Sequence, residues 1–107
     1  MEVSSINPWN LREVERFKTH TSEEASAIIE SVNTQFLSWK KTSFADRSAL
    51  LNRVGEILLE RKETYGAHIT AEMGKPISES IAEVEKCAWV CRFYAEKAES
   101  FLSPKMV

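Results

Sequence analysis

Apolar residues recur along most of the chain at the spacing of a helix face. They fall at Ala25, Ile28, Ile29, Val32, Phe36 and Trp39, with Glu23, Glu30, Asn33 and Gln35 on the opposite side. Thr21-Ser22-Glu23-Glu24 stands in front of this stripe. There the Thr oxygen can accept from the third helical N–H while Glu24 reaches back. A helix is therefore expected from Thr21, with Lys40 and Lys41 in its last turn, where cations suit the dipole.

A second stripe starts near Ser43, with Asp46 in the box position, and runs through Leu50, Leu51, Val54, Ile57 and Leu58. It continues through Tyr65, Ile69 and Met73, past Gly66. Gly costs a helix about 1 kcal/mol relative to Ala, so a kink or break is expected between Arg61 and Gly66. Gly74-Lys75-Pro76 ends the segment, because Gly suits a left-handed cap and Pro cannot continue a helix. The third stripe, from about Ser78 to Phe101, has Ile77, Ile81, Val84, Ala88, Cys91, Ala95 and Ala98 on one side. Trp89 and Phe93 lie beside them, a width that predicts contact with more than one neighbour.

The stretch from Ser4 to His20 lacks such a period. Asn7-Pro8 marks a turn, since the residue before Pro leaves the α region, and Glu13 to Lys18 is expected to form a short strand. The fold class expected is mainly α, with three or four helices after a short N-terminal extended or hairpin segment. The boundary is drawn between residues 1–20 and 21–107.

Composition narrows the function classes. The 107 residues carry 14 Lys and Arg against 16 Asp and Glu, a net charge of −2 that argues against a nucleic-acid footprint. Two cysteines cannot make a disulfide framework. The first residues have neither a basic start nor an apolar signal core. The longest apolar run, Cys87 to Val90 and Cys91, falls far short of the ~20 residues that span a bilayer. A cytoplasmic chain with no membrane partner is the resulting expectation.

Candidate chemistry is sparse. The three glycines, at 55, 66 and 74, are isolated, so no phosphate-cradling loop is built and no cofactor-binding residue is assigned. Cys87 and Cys91 lie four apart, on one helix face. With His20 and His68 they match no zinc spacing, and they read as small members of the core stripe. Glu79, Glu83 and Glu85, like Lys86 and Arg92, read as solvated helix faces.

Three sets of residues taken together resemble the N-terminal part of the aldehyde dehydrogenase superfamily. Ser5-Ile6-Asn7-Pro8 is similar to its opening strand. Phe36-Leu37-Ser38-Trp39-Lys40-Lys41-Thr42-Ser43, then Arg47 and Leu50-Leu51, resembles a second signature. Glu72-Met73-Gly74-Lys75-Pro76, Glu83-Val84 and Phe93-Tyr94-Ala95-Glu96 form the third and most specific. The Glu-Met-Gly-Lys-Pro form, with Lys86, Cys91 and Tyr94-Ala95-Glu96, looks most like the branch acting on succinate semialdehyde. Leu11 and Arg12 stand where the family has Gly-Glu, which calls the tight turn of the opening hairpin into question. Pro8-Trp9-Asn10 spells part of the family's oxyanion motif, but it aligns with this hairpin and takes no role from the motif.

The resemblance implies an α/β parent fold and an oxidoreductase that converts an aldehyde to its carboxylic acid with NAD or NADP. In such enzymes a Cys attacks the aldehyde, hydride passes to the nicotinamide, and a Glu activates water. No residue of this chain matches that catalytic machinery. The chain is therefore expected to be an N-terminal fragment, inactive and without bound cofactor by itself. Its wide third stripe would then face water or a partner, either a complementary chain or another copy. By resemblance, Ser5, Ile6 and Glu72 match a monovalent cation site, and Lys86, Cys87 and Val90 match residues flanking the substrate tunnel.

Overall fold

Strands β1 (Glu2–Ile6) and β2 (Glu13–Lys18) pair antiparallel in the computed structural model of the chain, which describes residues 1–106. The register joins Glu2 to Lys18, Val3 to Phe17, Ser4 to Arg16 and Ser5 to Glu15, then slips so that Ile6 faces Glu13. The turn forms despite the Leu11-Arg12 departure, because two asparagine side chains add hydrogen bonds to the backbone ones from the Asn7 N–H to the Arg12 carbonyl and from the Leu11 N–H to the Asn7 carbonyl. Asn7 Oδ1 accepts from the Trp9 N–H at 2.9 Å, and Asn10 Oδ1 accepts from the Arg12 N–H at 3.0 Å. Leu11 takes the left-handed position, with φ 60°. A side chain there crowds the backbone at a cost of about 1–2 kcal/mol.

Two capping boxes start the first two long helices, as expected. Helix α1 (Ser22–Trp39) opens with Thr21 Oγ1 accepting from the Glu24 N–H at 3.2 Å while Glu24 Oε2 accepts from the Thr21 N–H at 2.8 Å. Helix α2 (Phe44–Glu60) opens on Ser43, whose Oγ accepts from the Asp46 N–H at 3.1 Å. The far end of α1 differs from expectation. The helix stops at Trp39, Lys40 caps it, and Lys41 lies beyond, so neither lysine falls in the last turn. The Thr42 hydroxyl donates to the Trp39 carbonyl at 2.7 Å and takes up one of the end groups instead.

The break after α2 falls at Arg61, with φ −116° and ψ 19°, ahead of helix α3 (Lys62–Met73). Gly74, with φ 70°, is the left-handed cap of α3, and helix α4 (Ile77–Leu102) follows from Pro76. Met1–Thr42 make up one unit and the residues from Ser43 on a second. In the first, the helical stripe of α1 is present but none of its residues is buried. In the second, α4 packs against both α2 and α3 and buries Ser80, Val84 and Ala88. Ser48 Oγ on α2 donates to the Ala95 carbonyl on α4 at 2.6 Å.

Glycines make the close helix approaches possible. A Cβ on Gly55 would lie 3.2 Å from the Ala88 carbonyl oxygen, and one on Gly66 would lie 2.8 Å from Ile81 Cγ1. Gly66 therefore does not break its helix. It is the point at which α3 meets α4.

Candidate functional site

The α3–α4 corner gathers most of the chemistry-bearing residues of the second unit. Gly74 reverses the chain by adopting the left-handed cap, a conformation open to it for want of a side chain. Pro76 then sets the entry into α4. The turn between them carries Lys75 back over the first two turns of α4, where its Nζ donates to Glu83 Oε2 at 2.8 Å. The hydrogen bond to Glu83 holds the Lys75 pKa above the ordinary lysine value, against a smaller opposing effect of desolvation. Lys62 Nζ donates to Glu85 Oε1 at 2.6 Å, and that bond likewise raises the Lys62 pKa. Glu83 and Glu85 remain exposed, as a solvated face requires, yet each ties α4 to the preceding segment.

Beneath these pairs the hydroxyls of Thr70 and Ser80 meet at 2.9 Å. Ser80 is fully buried, so this partner removes the cost of an unmatched polar group. Sequence reasoning missed the pair. The available signal was a serine at position 80, inside the apolar stripe that runs from Ile77 to Val84.

Ile69, Met73, Lys75, Glu83 and Cys87 line a groove of about 520 Å³ at this corner. Its floor is apolar and the Lys75–Glu83 pair stands on its rim. Of the three α4 residues expected beside a substrate path, the structure brings Cys87 to this groove. Lys86 is exposed, Val90 is half-buried, and neither is among its lining residues.

Of the two cysteines, Cys87 departs from the core reading and Cys91 keeps a place at the α2–α4 contact. Cys87 is exposed and Cys91 half-buried. The buried line of α4 is centred on Ser80, Val84 and Ala88, and position 87 is turned about 60° from Val84, past its rim. Cys91 is turned only about 20° from it and approaches α2, its Cβ 3.6 Å from where a side chain of Gly55 would begin. Among the described residues, no three of His, Cys, Asp and Glu converge as a metal ion would require.

The residues matched to a cation site lie in different units. Ser5 is half-buried in β1 and Ile6 ends that strand, whereas Glu72 is exposed in the last turn of α3. No helix of the described residues is long and apolar enough to cross a membrane.

Comparison with known proteins places this geometry. The model of the aldehyde dehydrogenase family matches residues 1–107. The chain is 40% identical over 107 residues to a probable NADP+-dependent succinate-semialdehyde dehydrogenase of Synechocystis, covering all of this chain and 24% of that protein. It is 33% identical over 104 residues to the succinate-semialdehyde dehydrogenase (NADP+) of Deinococcus radiodurans, covering 97% of this chain and 22% of the relative. The solved structure of Gox0499 superposes with a TM-score of 0.93 at 26% identity, over 100% of this chain and 24% of its own. Succinic semialdehyde dehydrogenase of Streptococcus pyogenes, solved with NADP+, follows with a TM-score of 0.88 at 28% identity, over 97% and 24%. The chain thus spans about a quarter of the length of these relatives. Its four helices and hairpin have the form of one segment of their α/β fold.

Proposed function

We propose, from the premise that this chain belongs to the aldehyde dehydrogenase family, that it supplies the N-terminal helical segment of an oxidoreductase. The enzyme oxidises succinate semialdehyde to its acid with NAD or NADP. The observation that carries the reading is the 40% identity to the Synechocystis protein over every residue of this chain. The α3–α4 corner supports it, because Lys75 of the Gly-Lys-Pro turn and Glu83 of the Glu-Val pair are joined by a direct hydrogen bond.

These residues organise the enzyme without carrying out its chemistry. A dinucleotide needs backbone N–H groups presented by a glycine-rich turn at a helix N-terminus. Here Gly55 and Gly66 are enclosed by α4, and Gly74 caps the C-terminal end of α3. The donor set does not fit the cofactor, and no hydride step is assigned to it. Cys87 is not the nucleophile. It lies in the middle of α4, away from the helix N-terminus where reactive cysteines are found. Its place, with Lys86 and Val90, is along the approach of the substrate. The residues that attack the aldehyde and bind the nucleotide belong to the part of the family fold that this chain does not span.

The test is an absorbance assay of the purified chain with succinate semialdehyde and either NAD+ or NADP+. No steady formation of reduced nucleotide is expected. Sustained turnover by these 107 residues would overturn the reading.

A further inference from the structure

We propose that Cys87, Cys91 and Met73 form an all-sulfur site at the α3–α4 corner, and that its ligand is a soft monovalent metal ion of the Cu(I) class.

Both cysteines are free thiols. They lie one helical turn apart in the middle of α4. That spacing sets their Cβ atoms about 5–6 Å apart and about 40° from each other around the helix. A disulfide needs Cβ atoms about 3.5–4.5 Å apart, so the regular helix holds the pair too far apart to form one. A metal ion suits the wider gap. Two metal–thiolate bonds of about 2.3 Å place the sulfurs about 4.6 Å apart across a linear ion. Side chains that lean slightly inwards make up the difference. Cys87 is exposed and Cys91 half-buried, so an ion reaches the pair from the Cys87 side.

Met73 supplies the third sulfur. It ends α3, is 75% exposed, and lines the same groove as Cys87. Its unbranched side chain has three rotatable bonds and can swing its thioether across that groove. Competing donors there are already engaged. Ile69 has none to offer, and Lys75 and Glu83 hold each other at 2.8 Å.

The donor set chooses the ion. Thiolate and thioether sulfur select Cu(I), Zn2+ and iron–sulfur clusters over hard cations. A structural Zn2+ takes four ligands, and among the described residues no three of His, Cys, Asp and Glu converge. An iron–sulfur cluster takes four cysteines, and the chain has two. Cu(I) remains, an ion satisfied by two thiolates and one thioether. Each thiol gives up its proton to solvent as it binds. The bound group then carries one net negative charge, and Lys86 and Arg92, next in sequence to the two cysteines, offer the opposite charge.

The experiment titrates the reduced chain with Cu(I) under anaerobic conditions, against a chromogenic Cu(I) chelator as competitor. One Cu(I) per chain is expected, with only sulfur bonded to copper in X-ray absorption. Binding to the folded state should also raise the thermal midpoint. Cys87→Ser and Cys91→Ser are each expected to weaken binding by roughly a hundredfold, and Met73→Leu by roughly tenfold, the range that the loss of a partner costs metal sites. Cys87 and Met73 are exposed, so those two variants keep the test open even where Cys91→Ser disturbs the α2–α4 contact. Unchanged far-UV circular dichroism verifies that each variant folds. Full affinity in Cys87→Ser overturns the proposal, as does nitrogen or oxygen bonded to copper. Full affinity in Met73→Leu overturns the three-sulfur site. One Cu(I) per two chains also overturns it, because the ion would then bridge copies of the chain.

Discussion

Gly66 and Ile81 touch where α3 meets α4: a Cβ on Gly66 would stand 2.8 Å from Ile81 Cγ1 and 3.2 Å from the Ile81 backbone nitrogen. The second of these neighbours is backbone and cannot rotate aside, so a side chain at 66 has to push the helices apart. Gly66→Ala gains about 1 kcal/mol of helix propensity and meets an overpacking cost of about 1–3 kcal/mol. It is expected to lose about 1 kcal/mol net. Gly66→Val adds β-branching and more volume and is expected to lose about 3 kcal/mol. Urea unfolding followed by far-UV circular dichroism measures both, and a stabilised Gly66→Val would show that the contact is not tight.

The hairpin holds an opposite case. Leu11 is left-handed and its side chain is 79% exposed, so little packing offsets the backbone strain. Leu11→Gly is expected to stabilise the hairpin by about 1 kcal/mol, the strain released less the extra chain entropy of Gly. Leu11→Ala, which keeps a Cβ, is expected to change little. Hydrogen-exchange protection of the Asn7 N–H, bonded to the Arg12 carbonyl at 2.9 Å, reports the difference. Equal protection in all three proteins would count against strain at this turn.

The helix caps give a third expectation. Thr21→Ala and Ser43→Ala each remove a side-chain acceptor from a capping box and are expected to cost about 1 kcal/mol. Gly at either position should cost only a few tenths of a kcal/mol. Chemical denaturation distinguishes the two replacements, and identical losses for Ala and Gly would point to side-chain packing in place of capping.

Glu13 supplies a pH dependence. The Arg16 hydrogen bond, then that of Ser4, holds its carboxyl below the ordinary glutamate pKa. With the folded value depressed, the stabilising contribution is fully present above the unfolded pKa and is lost as pH falls through the folded one. A carbon-13 titration of the Glu13 carboxyl should show the depressed midpoint. Arg16→Gln should return it most of the way to the ordinary value. Lys75 has the reverse sign. Its pKa is raised by Glu83, so that contribution holds below the ordinary lysine pKa and fades as pH rises through the raised one. Both pairs are exposed, and their effects on overall stability should be small.

The features legible in the sequence are those set by neighbours along the chain. Thr21 with Glu24, Ser43 with Asp46, and Gly74 before Pro76 each decide a helix end through residues three or fewer positions away. The strand at Glu13–Lys18 forms where it was expected. The break falls at Arg61, inside the expected interval, although Gly66, the residue that suggested it, lies within α3. Contacts across helices were not legible. Gly66 reads as a weak point in an isolated helix and proves to be a packing point, because its value depends on Ile81, 15 positions on. Cys87 reads as core because the stripe of α4 is wide, but only the line through Ser80, Val84 and Ala88 is covered. At the candidate site, the Gly-Lys-Pro and Glu-Val motifs were visible as separate strings. The Lys75–Glu83 bond between them needs the turn to be built first.

The most direct test is the catalytic behaviour of a graft in which residues 1–107 replace the matched 24% of the Synechocystis relative. A folded enzyme that oxidises succinate semialdehyde with NADP+ or NAD+ is expected, beside an isolated chain that does not. A folded graft with no aldehyde oxidation, while the unmodified relative is active in the same assay, would contradict this expectation.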